Sequence, residues 1–157
     1  MSYPRINFTP GPSQLYFTVE DHMKQAFRDG IPSLSHRSKK FEKIFADAVN
    51  GLRELLNVPS SYHIYFTGSA TEIWERAIEN LVEESSFHLV NGSFSKRFFE
   101  IGAQLGKKAT KHEVPAGEGF SDLLDVPSTA ELIAVTHNET STGVSLPLDF
   151  IYDFKKK

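Results

Sequence analysis

The run Leu132-Ile133-Ala134-Val135, continued by Thr136-His137-Asn138-Glu139-Thr140-Ser141-Thr142-Gly143-Val144, is where the fold of this chain is read. Four successive apolar residues without polar alternation predict a fully buried strand over residues 132–136, of the kind found in parallel sheets. The stretch after that strand is almost wholly polar and carries hydroxyls, an amide and a carboxylate. Open α/β folds place their ligands at such strand exits. A solvated turn is the plainer meaning of any single loop of this type, so other strand exits must be weighed with it.

Upstream, apolar spacing alternates between helix and strand. Residues 1–17 hold three prolines and one glycine and read as an extended arm. Thr18 is placed to cap a helix carrying Val19, Met23, Ala26 and Phe27 on one face, and Gly30 stops it. A loop over 31–38 contains Ser35-His36-Arg37-Ser38. The longest helix comes next, with Phe41, Ile44, Phe45, Ala48, Leu52, Leu55 and Leu56 at helical spacing, ended by Asn57 and Pro59. Residues 62–67 predict a strand and 73–81 a helix; 87–90 predict a second strand and 98–105 a helix closed by Gly106. Residues 109–114 predict a third strand, 115–128 a loop, and Pro147 opens a last helix. Strands alternating with helices give an α/β fold, a mostly parallel sheet flanked by helices.

Composition narrows the function. The chain has 157 residues, 39% hydrophobic and 24% charged, as in a globular domain. A net charge of -3 offers no electrostatic footprint for nucleic acid, and the basic end at 155–157 reads as a solvated helix tail. With no cysteine there are no disulfides, thiolate nucleophiles or cysteine metal ligands. No apolar run approaches the ~20 residues that cross a bilayer, and the start lacks a signal-peptide core. The expectation is a cytoplasmic protein without membrane or nucleic-acid partners.

Two further strand exits carry candidate chemistry. Gly68-Ser69-Ala70-Thr71-Glu72 joins a strand to a helix with capping-box spacing, so unpaired amides and the positive end of the helix dipole meet there. That geometry binds anions, although most such turns are plain helix caps. Phe94, in Asn91-Gly92-Ser93-Phe94-Ser95, is an aromatic beside small residues, suited either to stack on a flat ring or to pin the next helix. His36 and Arg37 pair an imidazole with a bidentate guanidinium, fit for an anionic substrate or for a surface ion pair. His63, His88 and His112 show no metal-ligand spacing and read as structural. Trp74 belongs to a helical apolar stripe and reads as core.

Five segments taken together resemble the class V, fold-type I pyridoxal phosphate aminotransferases, and among these the phosphoserine aminotransferase branch. They are FTPGPSQL at 8–15, LSHRSKKF at 34–41, NVPSSYHIYFTGSATEIW at 57–74, LVNGSFSKRF at 89–98 and THNETSTGV at 136–144. The resemblance implies the N-terminal portion of a fold type I large domain, with an arm over 1–17 and a partial cofactor-binding domain over 18–157. It implies pyridoxal 5'-phosphate as cofactor, with Ser69, Ala70 and Thr71 at its phosphate, Phe94 on its ring, and Thr140 with Asn138 near the ring. His36 and Arg37 match a pair that meets the substrate's phosphate across a homodimer interface. Phe94 departs from the tryptophan frequent in that branch, and Ser69 and Thr71 from a more glycine-rich phosphate turn.

The Schiff-base lysine, its acidic partner for the pyridinium nitrogen and the small C-terminal domain match nothing in these 157 residues. The segment alone is therefore expected to be inactive, a truncated or cleaved piece of an enzyme. The activity implied passes an amino group between phosphoserine and 2-oxoglutarate, as in serine biosynthesis. A serine– or alanine–glyoxylate aminotransferase is the alternative within the class. A non-catalytic phosphate-binding α/β domain, or a degenerate remnant, is the alternative outside it.

Overall fold

The computed structural model describes residues 6–9, 11–120 and 124–155; the first five residues and Pro10 of the arm, residues 121–123 and the end of the basic tail lie outside them. The chain divides into two compact units, residues 1–66 and 67–157.

In the first unit, helix α1 spans Val19–Arg28 and helix α2 spans Lys39–Leu55. Thr18 stands at the α1 N-cap as expected, but its hydroxyl accepts no bond there. The helix stops at Asp29, and Gly30 takes the left-handed φ of 67° that the turn requires. Ser38 caps α2 by accepting the Phe41 N–H at 3.2 Å. Asn57 ends that helix at φ 52°, and Arg53 holds the next loop by donating to the carbonyls of Val58, Pro59 and Tyr62. Neither helix contains a buried residue; Phe27, Leu55 and Leu56 are exposed, while Phe41, Ile44 and Leu52 are half-buried.

Residues 62–67 correct the reading of the sequence. They form no strand among the described residues. Alternating apolar residues favour extended backbone, but a strand exists only when a neighbour completes its ladder.

The second unit is the α/β body. Helix α3 spans Ala70–Leu81, strand β1 Ser85–Val90, helix α4 Ser93–Gln104, strand β2 Lys108–Glu113 and strand β3 Leu132–Ala134. The strands pair in parallel in the order β2-β1-β3, with Phe87 beside Thr110 on one side and Ile133 on the other. Five of the six β1 residues are buried because β1 is central. One sheet face packs Phe87 and Leu89 with Phe120 and Leu146, joined by Ile133, Phe150 and Ile151. Phe150 and Ile151 come from helix α5, Leu148–Lys155, which succeeds Pro147 as expected. The opposite face is covered by α4, where His88 meets the rings of Phe98 and Phe99 edge-on. Parallel strands covered on both faces were the expected arrangement.

The expected fully buried strand over 132–136 is shorter and less buried: β3 stops at Ala134, and only Ala134 is buried. It stands at the edge of the three described strands, so one of its sides has no strand against it. The polar stretch after it is not featureless loop. Strand β4, Asn138–Glu139, pairs antiparallel with β5, Val144–Ser145, as a small hairpin.

Candidate functional site

The site is built at the edge where the parallel strands end. α3 leads into β1 and α4 leaves it, so both helices run back along the sheet and begin at that edge. Trp74 stacks on Phe98 with ring centroids 5.3 Å apart and planes 13° off parallel. Trp74 lies one helical turn inside the start of α3, and Phe98 one turn beyond Phe94. The two first turns therefore stand side by side. Trp74 is half-buried, packing on Phe98 rather than lying in the buried core its stripe predicts.

The turn before α3 forms the expected Ser69 cap, but the reciprocal bond from Glu72 falls on the residue before the cap rather than on Ser69 itself. The Ser69 hydroxyl accepts from the Glu72 N–H at 3.2 Å, and the Glu72 carboxylate accepts from the Gly68 N–H at 3.0 Å. The amides of Ala70 and Thr71 find no acceptor among the described residues, and Ser69, Ala70 and Thr71 are all exposed. Unpaired donors at the positive end of a helix dipole suit a phosphate. The Thr71 side chain lines a cavity of about 210 Å³ with Glu75, Arg97 and Gln104, in which Phe94 takes no part.

At α4 the corresponding position is taken by an internal anion. Gly92 is the N-cap and has no side chain with which to cap. Glu139, from far along the chain, supplies the oxygens instead. Its carboxylate accepts from Phe94 N–H at 3.3 Å, Ser95 N–H at 2.8 Å and Ser95 Oγ at 2.8 Å. It also accepts from Ser141 Oγ at 2.6 Å and Ser141 N–H at 3.3 Å. Glu139 is fully buried. Burial pushes its carboxyl upward, but the bonds from Ser141, Ser95 and Phe94 outweigh that and hold it below the ordinary carboxylate value. It is an anion at neutral pH.

Gly92 is required by space rather than by conformation. A Cβ there would sit 2.4 Å from Glu139 Cγ and 2.6 Å from Ser141 Oγ. The hairpin is tied down further by the Ser93 N–H donating to Ser141 Oγ at 2.9 Å. Phe94 is thereby held at the helix start with 47% of its surface exposed, while Asn138 and Thr140, on either side of Glu139, are exposed too. Phe94, Asn138 and Thr140 are brought into one locale, next to the free start of α3.

His36 and Arg37 are exposed in the first unit, on the loop before α2. Sequence reasoning missed Glu139, Gly92, Ser95 and Ser141 as parts of the site. A glycine at a helix N-cap with no capping side chain, and an acidic residue just after a buried strand, were the available signals. No group of three or more metal-ligating side chains occurs among the described residues. A cavity of about 320 Å³ borders the same loops, lined by Gly92, Ser93, Lys96, Glu113, Ser141 and Thr142, and includes none of the residues nominated from the sequence.

The overall fold is shared with solved structures. The chain matches a phosphoserine aminotransferase from Cytophaga hutchinsonii with a TM-score of 0.91 at 54% identity, over 97% of this chain and 42% of that one. It matches a PLP-bound phosphoserine aminotransferase from Trichomonas vaginalis with a TM-score of 0.75 at 21% identity, over 89% and 46% of the two chains. The fold is that of the large domain of fold type I pyridoxal phosphate enzymes. The family model for class-V aminotransferases matches residues 5–92, more than half of the chain. The chain belongs to the class-V aminotransferase family. Relatives include a phosphoserine aminotransferase of Rhodococcus opacus, 33% identical over 138 residues, and an L-aspartate–glyoxylate aminotransferase of Paracoccus denitrificans, 31% identical over 146 residues. In each case 87% of this chain is covered and 35% of the relative, so the chain spans about a third of the length of these relatives.

Proposed function

We propose that this chain is the N-terminal part of the large domain of a pyridoxal-phosphate-dependent phosphoserine aminotransferase, with an arm over residues 1–17 and a cofactor-binding body over 18–157. The observation that carries the proposal is the pair of helix starts at one sheet edge, one filled by Glu139 and the other with free amides. The cofactor's phosphate is assigned to Ser69 Oγ and the amides of Ala70 and Thr71, its ring to the face of Phe94, and its edge to Asn138 and Thr140.

The residues present fit the group. Ser69 Oγ accepts from Glu72 and keeps its proton for a phosphate oxygen. The half-exposed phenyl of Phe94 offers a flat apolar face that excludes water from one side of a ring. The cofactor, when bound, serves as an electron sink for carbanion chemistry at the amino acid's α-carbon. These residues bind and orient; none of them supplies the Schiff-base lysine, which is assigned outside the 157 residues. The chain by itself does not transaminate on this reading. His36 and Arg37 are assigned to a phosphorylated substrate in a homodimer, with Arg37 as the bidentate partner.

The solved likeness at 54% identity supports phosphoserine as substrate. The Paracoccus denitrificans relative keeps a glyoxylate-using enzyme as the second reading. Assaying the protein at its native length with phosphoserine and either 2-oxoglutarate or glyoxylate separates the two. Faster turnover with 2-oxoglutarate is expected, and a preference for glyoxylate overturns the first reading.

A further inference from the structure

The Glu139 carboxylate is buried, charged and bound by five donors, all of them in the first turn of α4 or one residue past Thr140 in the hairpin. It thus joins two segments that the chain separates by more than forty residues, and both carry a residue assigned to the cofactor ring. We propose that Glu139 is a positioning residue: by clamping the backbone of Phe94 to the Thr140 hairpin it sets the spacing and tilt between the two, and so determines how tightly and in what orientation a pyridoxal phosphate ring is held. The inference rests on the assignment of that cofactor to this site.

The geometry favours such a role over simple filling of the core. Phe94 and Thr140 are exposed, so burial does not fix them. Phe94 is instead located through its own N–H on Glu139 Oε1 and through Ser95 on Oε2. Gly92 gives up its Cβ so that the carboxylate can approach. A neutral amide of the same shape cannot replace this. Five donors converge on two oxygens, and the NH2 of glutamine would face a backbone N–H that cannot reverse its role.

The test is a titration of the protein at its native length with pyridoxal phosphate, read by absorbance and by the circular dichroism induced in the cofactor. Glu139→Gln is expected to weaken binding about tenfold and to diminish the induced band. In a Phe94→Leu background, where no aromatic ring remains to be positioned, the same change is expected to cost less than about twofold. Wild-type affinity and dichroism in Glu139→Gln overturn the inference, as does an equal tenfold loss in both backgrounds, which marks a general structural role. Should far-ultraviolet dichroism show Glu139→Gln to be unfolded, Ser141→Ala takes its place, since it removes one donor and leaves the carboxylate. It is expected to weaken binding about threefold with Phe94 present and not in Phe94→Leu; equal losses overturn the inference. A wild-type protein that binds no pyridoxal phosphate overturns the functional reading and this inference together, whereas wild-type binding with an indifferent variant overturns this inference alone.

Discussion

Phe94 presents a phenyl where a larger aromatic would cover more of a ring. Phe94→Trp is expected to tighten pyridoxal phosphate binding about fivefold, ~1 kcal/mol, in keeping with the scale of aromatic pair energies; absorbance titration of both forms checks it, and equal affinities refute it. His88 makes a different kind of statement. Its Nε2 meets Ser86 Oγ at 2.9 Å, its Nδ1 has no partner, and burial lowers its pKa to about 4. The imidazole of the unfolded chain takes its proton near 6.5. His88 therefore contributes fully to stability above about pH 6.5, and that contribution, of order 3 kcal/mol, is lost as pH falls toward about 4. Tracking the His88 ring by NMR should show a neutral imidazole from about pH 8 to about 5; a midpoint near 6.5 refutes the assignment. In the sequence His88 reads as structural, and the fold does bury it among Ser86, Phe98 and Phe99, but nothing in its neighbours foretold that one ring nitrogen would be buried unpaired.

The caps and clips at the element ends define the next scale. Ser69→Ala removes the cap of α3 and should lower stability by about 1 kcal/mol in denaturant unfolding. Glu131 works at the opposite edge of the sheet. Its carboxylate accepts from the backbone N–H groups of Glu83, Glu84 and Ser85 at 2.8 to 3.1 Å, which pins the turn into β1 beside the start of β3. The Glu84, Ser85 and Glu83 amides hold the carboxyl below its usual value, so the clip is intact at neutral pH and opens as acid titrates it. Glu131→Ala should speed hydrogen exchange at residues 83–85 selectively, and unchanged exchange there would dismiss the clip. The Ser69 cap could be read directly, because its partners are three residues apart. The Glu131 clip and the Glu139 bonds to Phe94 and Ser95 could not, because donor and acceptor lie more than forty residues apart and meet only when β3 is laid beside β1.

Over the whole molecule, apolar surface is unevenly covered. The second unit buries both faces of β1, whereas the first leaves Phe27, Leu55, Leu56, Tyr62, Tyr65 and Phe66 largely exposed. Exposed apolar residues in such number mark surfaces that other protein covers. These 157 residues isolated by themselves should bind a hydrophobic dye and self-associate, and light scattering that shows a monodisperse monomer without dye binding would refute this. Local pattern was enough for the helices, their stops at Gly30 and Asn57, the parallel sheet and the polar strand exit, because spacing and capping act over one or two turns. The same pattern failed at residues 62–67, misjudged the burial of β3 and missed the hairpin within 136–144. Periodicity and caps were sufficient for the α/β class, while Ala70, Phe94 and Thr140 are nominated by the family resemblance of the segments that carry them. Which helix start is filled and which is free, and that Glu139 rather than a local side chain caps α4, came from the folded arrangement, since a long-range carboxylate contact leaves no periodic trace along the chain.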